Sequence, residues 1–333
     1  MRRAVNLAAS LVLACTLAGC AGSVGEGVAD GAPAIDAADL KARLDTLLEP
    51  GRPDGIRASV WVGGPTGAPW FTHEPGVVRA AASAIKTAYL VEWFDLHRAA
   101  LDAPVEGAVD IVADTTHPAV AHFEAGQLEE IRREIGGASA RRIGQMMIRG
   151  TDVSNVVYNA AANVVAALLG GPAELTERIR ARDAAFDGLT VRRYMLAARD
   201  ATGDNEATAE SLAAVLQRIA SRRLPGVDDE TARAIRKILR LPDDDGAGRG
   251  HYFKSGSLNS DPLVRIRSGF WDLPEGIVVY VVIVEQPDPA ALPRDEAGAR
   301  LDRVSRKTAD AVVRDARLAM RAARDTGRPD GRR

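Results

Sequence analysis

The run GIVVYVVIVEQ, residues 276–286, limits what this chain can fold into more than any other stretch. It is strongly β-branched, and such side chains favour a packed, pleated strand over a helix. LVRIRSGFWDL precedes it across the short loop LPEG, which reads as a hairpin, and HYFKSGS comes before that. Far upstream, IRASVWVGG and PWFTHEP flank a Gly/Pro turn and read as a second hairpin. Between the two groups, from Ser83 to about Leu224, the patterns are helical and alanine-rich. Helices are also expected at both ends. DAADLKARLDTLL begins with an Asp N-cap, and residues 296–323 place Leu301, Val304, Thr308, Ala311 and Val312 on one face. The succession predicts an α/β chain of the α+β type. An antiparallel five-stranded sheet is flanked by terminal helices and carries an inserted all-helical lobe. One domain is expected over residues 37–325, with a sheet lobe (37–82 and 226–325) and a helical lobe (83–225).

The chain opens MRRAVNLAASLVLACTLAGCAGS: two arginines, an apolar run, then small residues. This is the layout of a secretory signal, and the run is too short to cross a bilayer. LAGC, Leu17 to Cys20, resembles the bacterial lipobox, which implies removal of the segment before Cys20 and lipidation of that cysteine. Residues 1–20 are therefore expected to act as a lipoprotein signal, 21–36 as a flexible Gly/Ala/Ser-rich tether and 326–333 as a disordered tail. The expected location is the bacterial cell envelope, with membrane contact through the N-terminal lipid only. The one other cysteine, Cys15, lies in the part to be removed, so a core rather than a disulfide must hold the fold. With 46% hydrophobic residues the chain can build one. A net charge of −2, with both signs mixed throughout, carries no nucleic-acid footprint, and a monomer without cofactor is expected. His117 and His122 lack the carboxylate pattern of a metal site and read as structural, as does His251; no metal is expected.

Candidate chemistry begins at AAASAIKTAYLVEWF, where Ser83 stands three residues before Lys86. Positions i and i+3 share a helix face. Taken alone, the pair reads as an N-cap followed by a solvated charge. Taken as chemistry, a serine at a helix N-terminus sits where developing negative charge is stabilised. A neutral Lys86 would then accept its proton, provided burial and a second cation lower the lysine's pKa. Lys254-Ser255-Gly256, on the strand HYFKSGS, supplies that cation and a glycine that allows close backbone approach.

Ser83-Ala84-Ile85-Lys86 and Lys254-Ser255-Gly256, with NAAANVVAALLGGPAELTERI between them, resemble the serine β-lactamase and penicillin-binding protein superfamily in its class A branch. The stretch containing Asn163 and Gly170-Gly171-Pro172 places the family's second motif, S-D-N, at Val157-Tyr158-Asn159. The resemblance spans about residues 37–323 and implies a role for each matched position. Ser83 would be the acylated nucleophile and Lys86 its proton acceptor or relay. Asn159 would hold a substrate amide, with Tyr158 beside it. Lys254 would assist proton traffic and, with Ser255 and Gly256, anchor a substrate carboxylate. The N–H groups of Ser83 and Ser257 would form an oxyanion hole.

Two positions depart from the family pattern. Val157 replaces the serine that passes a proton to the leaving nitrogen, and valine carries no proton to pass. Tyr158 faces about 100° away on a helix; it reads equally as a packing residue, and Ser154, one turn earlier, is the other substitute. Met195, in Arg193-Tyr194-Met195-Leu196, stands where the glutamate that activates the deacylating water is expected, and Glu206 is a distant replacement. The expectation is a serine hydrolase that acylates at Ser83 and deacylates poorly. Its substrate would be a β-lactam, a peptidoglycan-like peptide or an ester. The competing expectation is a penicillin-binding or sensing lipoprotein with little turnover. Arg265 and Arg267 read as either anion-binding groups or a solvated strand face.

Overall fold

A computed structural model describes residues 35–48, 55–150, 152–199, 202–242, 250–287 and 293–326. The expected signal with Cys20, tether residues 21–34 and tail residues 327–333 lie outside the described residues. Helix α1 (Ala37–Leu48) is opened by Asp36, whose Oδ1 accepts the Asp39 N–H at 2.9 Å. Strands β1 (Arg57–Gly63) and β2 (Pro69–His73) form the first hairpin. A short β3 (Arg79–Ala80) then runs through a 3₁₀ turn (Ala82–Ile85) into α2 (Lys86–Leu96). Helices α3 (Glu106–Ala113), α4 (Ala125–Ile135), α5 (Ala140–Ile148), α6 (Asn155–Leu168) and α7 (Gly171–Arg182) follow. After β4 (Glu206–Ala207) come α8 (Ala209–Ser221), α9 (Asp229–Leu239), β5 (His251–Leu258), β6 (Leu263–Leu273), β7 (Gly276–Gln286) and α10 (Arg294–Thr326).

The main sheet is antiparallel with strand order β2-β1-β7-β6-β5, so the β-branched run is its centre. Its alternation explains why nearly every β7 residue is buried. Val278, Tyr280, Val282 and Val284 pack with Leu40 and Leu44 of α1 and Leu301 and Val312 of α10. Val279, Val281 and Ile283 face the other way, into a core shared with α2, α6 and α8. Each fully buried aliphatic side chain contributes about 1.5–3 kcal/mol, so a strand buried on both faces anchors the two layers together. The helix α8 lies across the sheet, and α9 packs against α2, α5 and α8.

A feature absent from the expected order is the two-stranded pairing of β3 with β4, Arg79 opposite Ala207. With the Ala81 N–H donating to Asn205 O at 2.7 Å, it ties the chain just before Ser83 to the segment that follows Met195. Strands of two residues carry no readable periodicity, which is why the sequence hides them.

Candidate active site

Ser83 caps no helix. It lies inside the 3₁₀ turn, and α2 starts at Lys86 with no side-chain cap. Ala82, just before it, has φ 43°, a left-handed conformation that a Cβ-bearing residue adopts at a cost. This bend leaves Ser83 half-buried and facing the cleft while Ala82, Ala84 and Ile85 stay buried. Lys86 follows one turn later and is fully buried. Its Nζ donates to Asn159 Oδ1 at 2.9 Å and to the Tyr158 carbonyl at 3.3 Å.

The second-motif segment is where the local structure changes the chemistry. Ser154 is the N-cap of α6, its Oγ accepting the Val157 N–H at 3.3 Å. It is thus occupied in starting the helix, and it does not line the cleft. Val157 is fully buried in the core. Because α6 is already helical at this point, Tyr158 and Asn159 both line the cleft. Lys86 Nζ lies 3.3 Å from the centre of the Tyr158 ring, and Lys254 Nζ donates to the Tyr158 hydroxyl at 2.6 Å. The Ser83 side chain is near enough to the same phenol to help lower its pKa. Tyr158 is therefore the junction of the serine and both lysines, a stronger role than packing or substrate contact.

The electrostatics of this junction are mutual. Burial drives the Lys86 ammonium down, the Lys254 cation adds to the effect, and the Tyr158 phenolate opposes it; the outcome is about 7. Burial raises Tyr158, but the Lys86 and Lys254 charges, the hydrogen bond from Lys254 and the nearby Ser83 side chain outweigh it and bring it down to about 7. Two groups that normally titrate above neutrality are thus both brought close to it.

Lys254 reaches this junction from β5, the edge strand of the sheet, and is buried. Ser255, Gly256 and Ser257 line the cleft beside it. A Cβ at Gly256 would stand 3.0 Å from Ala84 N and 3.1 Å from Ser83 N. Glycine therefore lets the strand close onto the backbone of Ser83 and Ala84. Gly256→Ala is expected to push the two apart by a few tenths of an ångström. Acylation should slow by about tenfold, part of the ~10²-fold that a 1 Å misplacement costs, with the melting temperature little changed.

The far wall of the cleft is the loop that carries Met195. Asn163 grips it from α6, accepting the Met195 N–H at 2.6 Å and donating to the Met195 carbonyl at 3.0 Å. His122 Nε2 lies 3.0 Å from the same carbonyl. His117 Nδ1 accepts the Ala119 N–H at 3.1 Å, so both histidines serve the fold. Arg193 pairs with Asp204 at 2.7 Å, closing the loop's base, and Arg199 pairs with Asp204 at 3.2 Å. Arg199 also reaches Ser260 and the Asp261 carbonyl across the cleft mouth. Asp204→Asn leaves two guanidiniums without their carboxylate and is expected to cost about 2 kcal/mol in denaturant unfolding. Arg193 stands in the segment singled out around Met195 and Arg199 has no signal in the sequence; the pairing of both with Asp204 depends on where the loop returns.

The cleft has a volume of about 620 Å³. Among the described residues lining it, the one carboxylate is Asp204, already paired with two arginines. Glu206 pairs with Arg192 at 2.7 Å and does not line the cleft. Arg265 and Arg267 do not line it either. Arg265 pairs with Asp302 of α10 at 3.1 Å, and Arg267 Nε donates to Ser305 at 3.4 Å. Among the described residues no group of three or more His, Cys, Asp or Glu is placed to hold a metal ion.

This architecture is the β-lactamase-like fold. The β-lactamase of Sphaerobacter thermophilus superposes with a TM-score of 0.59 at 19% identity, covering 84% of this chain and 98% of its own. A class A β-lactamase from Bacteroides cellulosilyticus gives 0.58 at 15% identity, covering 82% and 97%. A mutant of PBP-A, solved as an acyl-enzyme complex with penicillin G, gives 0.56 at 19% identity, covering 83% and 97%. No protein-family model matches the chain, and no curated protein does.

Proposed function

We propose that this chain is a serine hydrolase of the β-lactamase-like kind that works through an acyl-enzyme on Ser83 and releases the acyl group slowly. The observation that carries the reading is the Tyr158 phenol, which accepts a hydrogen bond from Lys254 and covers Lys86, at the cleft that Ser83 lines. In the forward step Ser83 Oγ attacks the substrate carbonyl while its proton passes to the Tyr158 phenolate. The N–H groups of Ser83 and Ser257 hold the oxyanion. The tetrahedral intermediate then collapses: the carbonyl–nitrogen bond breaks, or the carbonyl–oxygen bond in an ester, and Tyr158 returns the proton to the leaving atom. Lys86 keeps the phenol's charge state labile, and Lys254 with Ser255 anchors a substrate carboxylate. Asn159 is the candidate contact for a substrate amide, although its Oδ1 accepts from Lys86 and its Nδ2 donates to Asn155. β-Lactams, peptidoglycan-like peptides and esters share the required carbonyl. The lipobox-like Cys20 supports action at the outer face of a membrane or in the periplasm, by a monomer without cofactor.

Met195 favours a second reading, a penicillin-binding or sensing lipoprotein that acylates once and turns over little. Met195 borders the cleft where a water-activating carboxylate is expected, its sulfur beside Asn205, and methionine is no base. Intact-mass spectrometry of residues 21–333 with a panel of β-lactams, followed over time beside Ser83→Ala, decides between them. A Ser83-dependent adduct that persists supports the sensing role. One that forms and clears with product supports a turning-over hydrolase. No adduct with any β-lactam restricts the proposal to esters and peptides, and no Ser83-dependent reaction with those either overturns it.

A further inference from the structure

Behind the sheet, between its outer face and α10, lies a second cavity of about 510 Å³, within the range of small-molecule sites. Its floor is aromatic, built from Phe253, Trp271 and Tyr280. His251 stacks flat on Trp271, with ring centres 4.0 Å apart, and its Nε2 lies 2.8 Å from the Tyr280 hydroxyl. Burial, helped by the Arg267 cation, lowers the imidazole to about 4, so this surface is neutral at physiological pH.

Two charged side chains border the floor without being matched. Arg267 of β6 is half-buried, and among the described residues no carboxylate pairs with it; it donates a long hydrogen bond to Ser305. Asp310 of α10 has no ion-pair partner among the described residues. Both line the cavity, Arg267 from the sheet and Asp310 from α10. The other cations at the rim are engaged, Arg314 with Asp315 at 3.3 Å and Arg317 with Glu275 at 3.6 Å. A guanidinium and a carboxylate that do not reach each other, set above an aromatic floor, are complementary to a molecule carrying both charges and a ring.

We propose that this cavity binds an aromatic α-amino acid as its zwitterion. Its carboxylate lies on Arg267, its ammonium on Asp310, and its ring against Phe253 and Trp271. Calorimetric titration of the full chain with phenylalanine, 3-phenylpropionate and 2-phenylethylamine tests it. Phenylalanine should bind saturably, and each singly charged analogue at least about tenfold more weakly. Asp310→Asn, on an exposed helix face, should remove that preference over 3-phenylpropionate. Val313→Trp should fill the cavity and abolish binding while the melting temperature holds. Absence of saturable phenylalanine binding, equal affinity for 3-phenylpropionate, or binding that survives Val313→Trp would each overturn the proposal.

Discussion

Tyr158→Phe is expected to acylate Ser83 ~10²–10⁴-fold more slowly than the parent, the range a lost acid–base group costs. The ring still covers Lys86 Nζ, but the hydroxyl that accepts from Lys254 is gone. Lys254 Nζ loses its acceptor, so a destabilisation of about 1–3 kcal/mol accompanies the change. The pH profile separates a proton-transfer role from a structural one. A base must be deprotonated to act, so the parent's acylation rate should climb as pH rises through about 7, where Lys86 and Tyr158 lose their protons. In the variant Lys86 alone remains. Without the phenolate that raises its pKa, burial and Lys254 carry it lower, and the climb should move to more acid pH. A parental rate and an unmoved profile would remove Tyr158 from the proton path.

Met195→Glu is expected to shorten the life of the proposed acyl-enzyme ~10²–10⁴-fold, by supplying a carboxylate free to activate water, which the described residues lining the cleft do not offer. The prediction rests on how firmly the position is held. Asn163 and His122 fix the Met195 backbone from two elements, so the new carboxylate starts where the thioether now lies. Acylation should change little, because Ser83, Tyr158 and both lysines are untouched. Decay of the mass adduct and steady-state β-lactam hydrolysis measure the two halves separately. An adduct lifetime equal to the parent's would show that this wall of the cleft does not face the ester.

The comparison between sequence and structure is most instructive at residues 154–159. The strands that build the sheet announce themselves by β-branching at 276–286 and by turn residues around 64–68 and 274–275. Ser83, Lys86 and Lys254 are singled out by the ordered motifs that resemble the family, since the spacing alone reads as a cap and a solvated charge. Tyr158 was not assigned its place, because its direction depends on whether the backbone is helix or loop at that point. Ser154 resolves this: by capping α6 it starts the helix before Val157, buries the valine and turns the tyrosine to the lysines. A capping serine is visible in a sequence, but its consequence for a neighbour four positions on is a matter of geometry. Arg199's reach to Ser260 and Asp261, and the pairing of β3 with β4, join segments far apart in the chain and carry no local pattern.

The pairing of β1 with β7, which sets Trp61 opposite Val281, also dictates when this protein can finish folding. As the chain is made, the β1–β2 hairpin emerges first with one edge unpaired, and its partner arrives only after every helix from α2 to α9. Contacts this distant in sequence must close a long loop before they reward the closure, so the sheet is the late and slow event. A chain held on the way, with helices formed and β7 missing, presents an open strand edge to its neighbours. In this design protection against aggregation rests on speed of completion at the C-terminal end, where the chain's most β-prone segment is also its last strand.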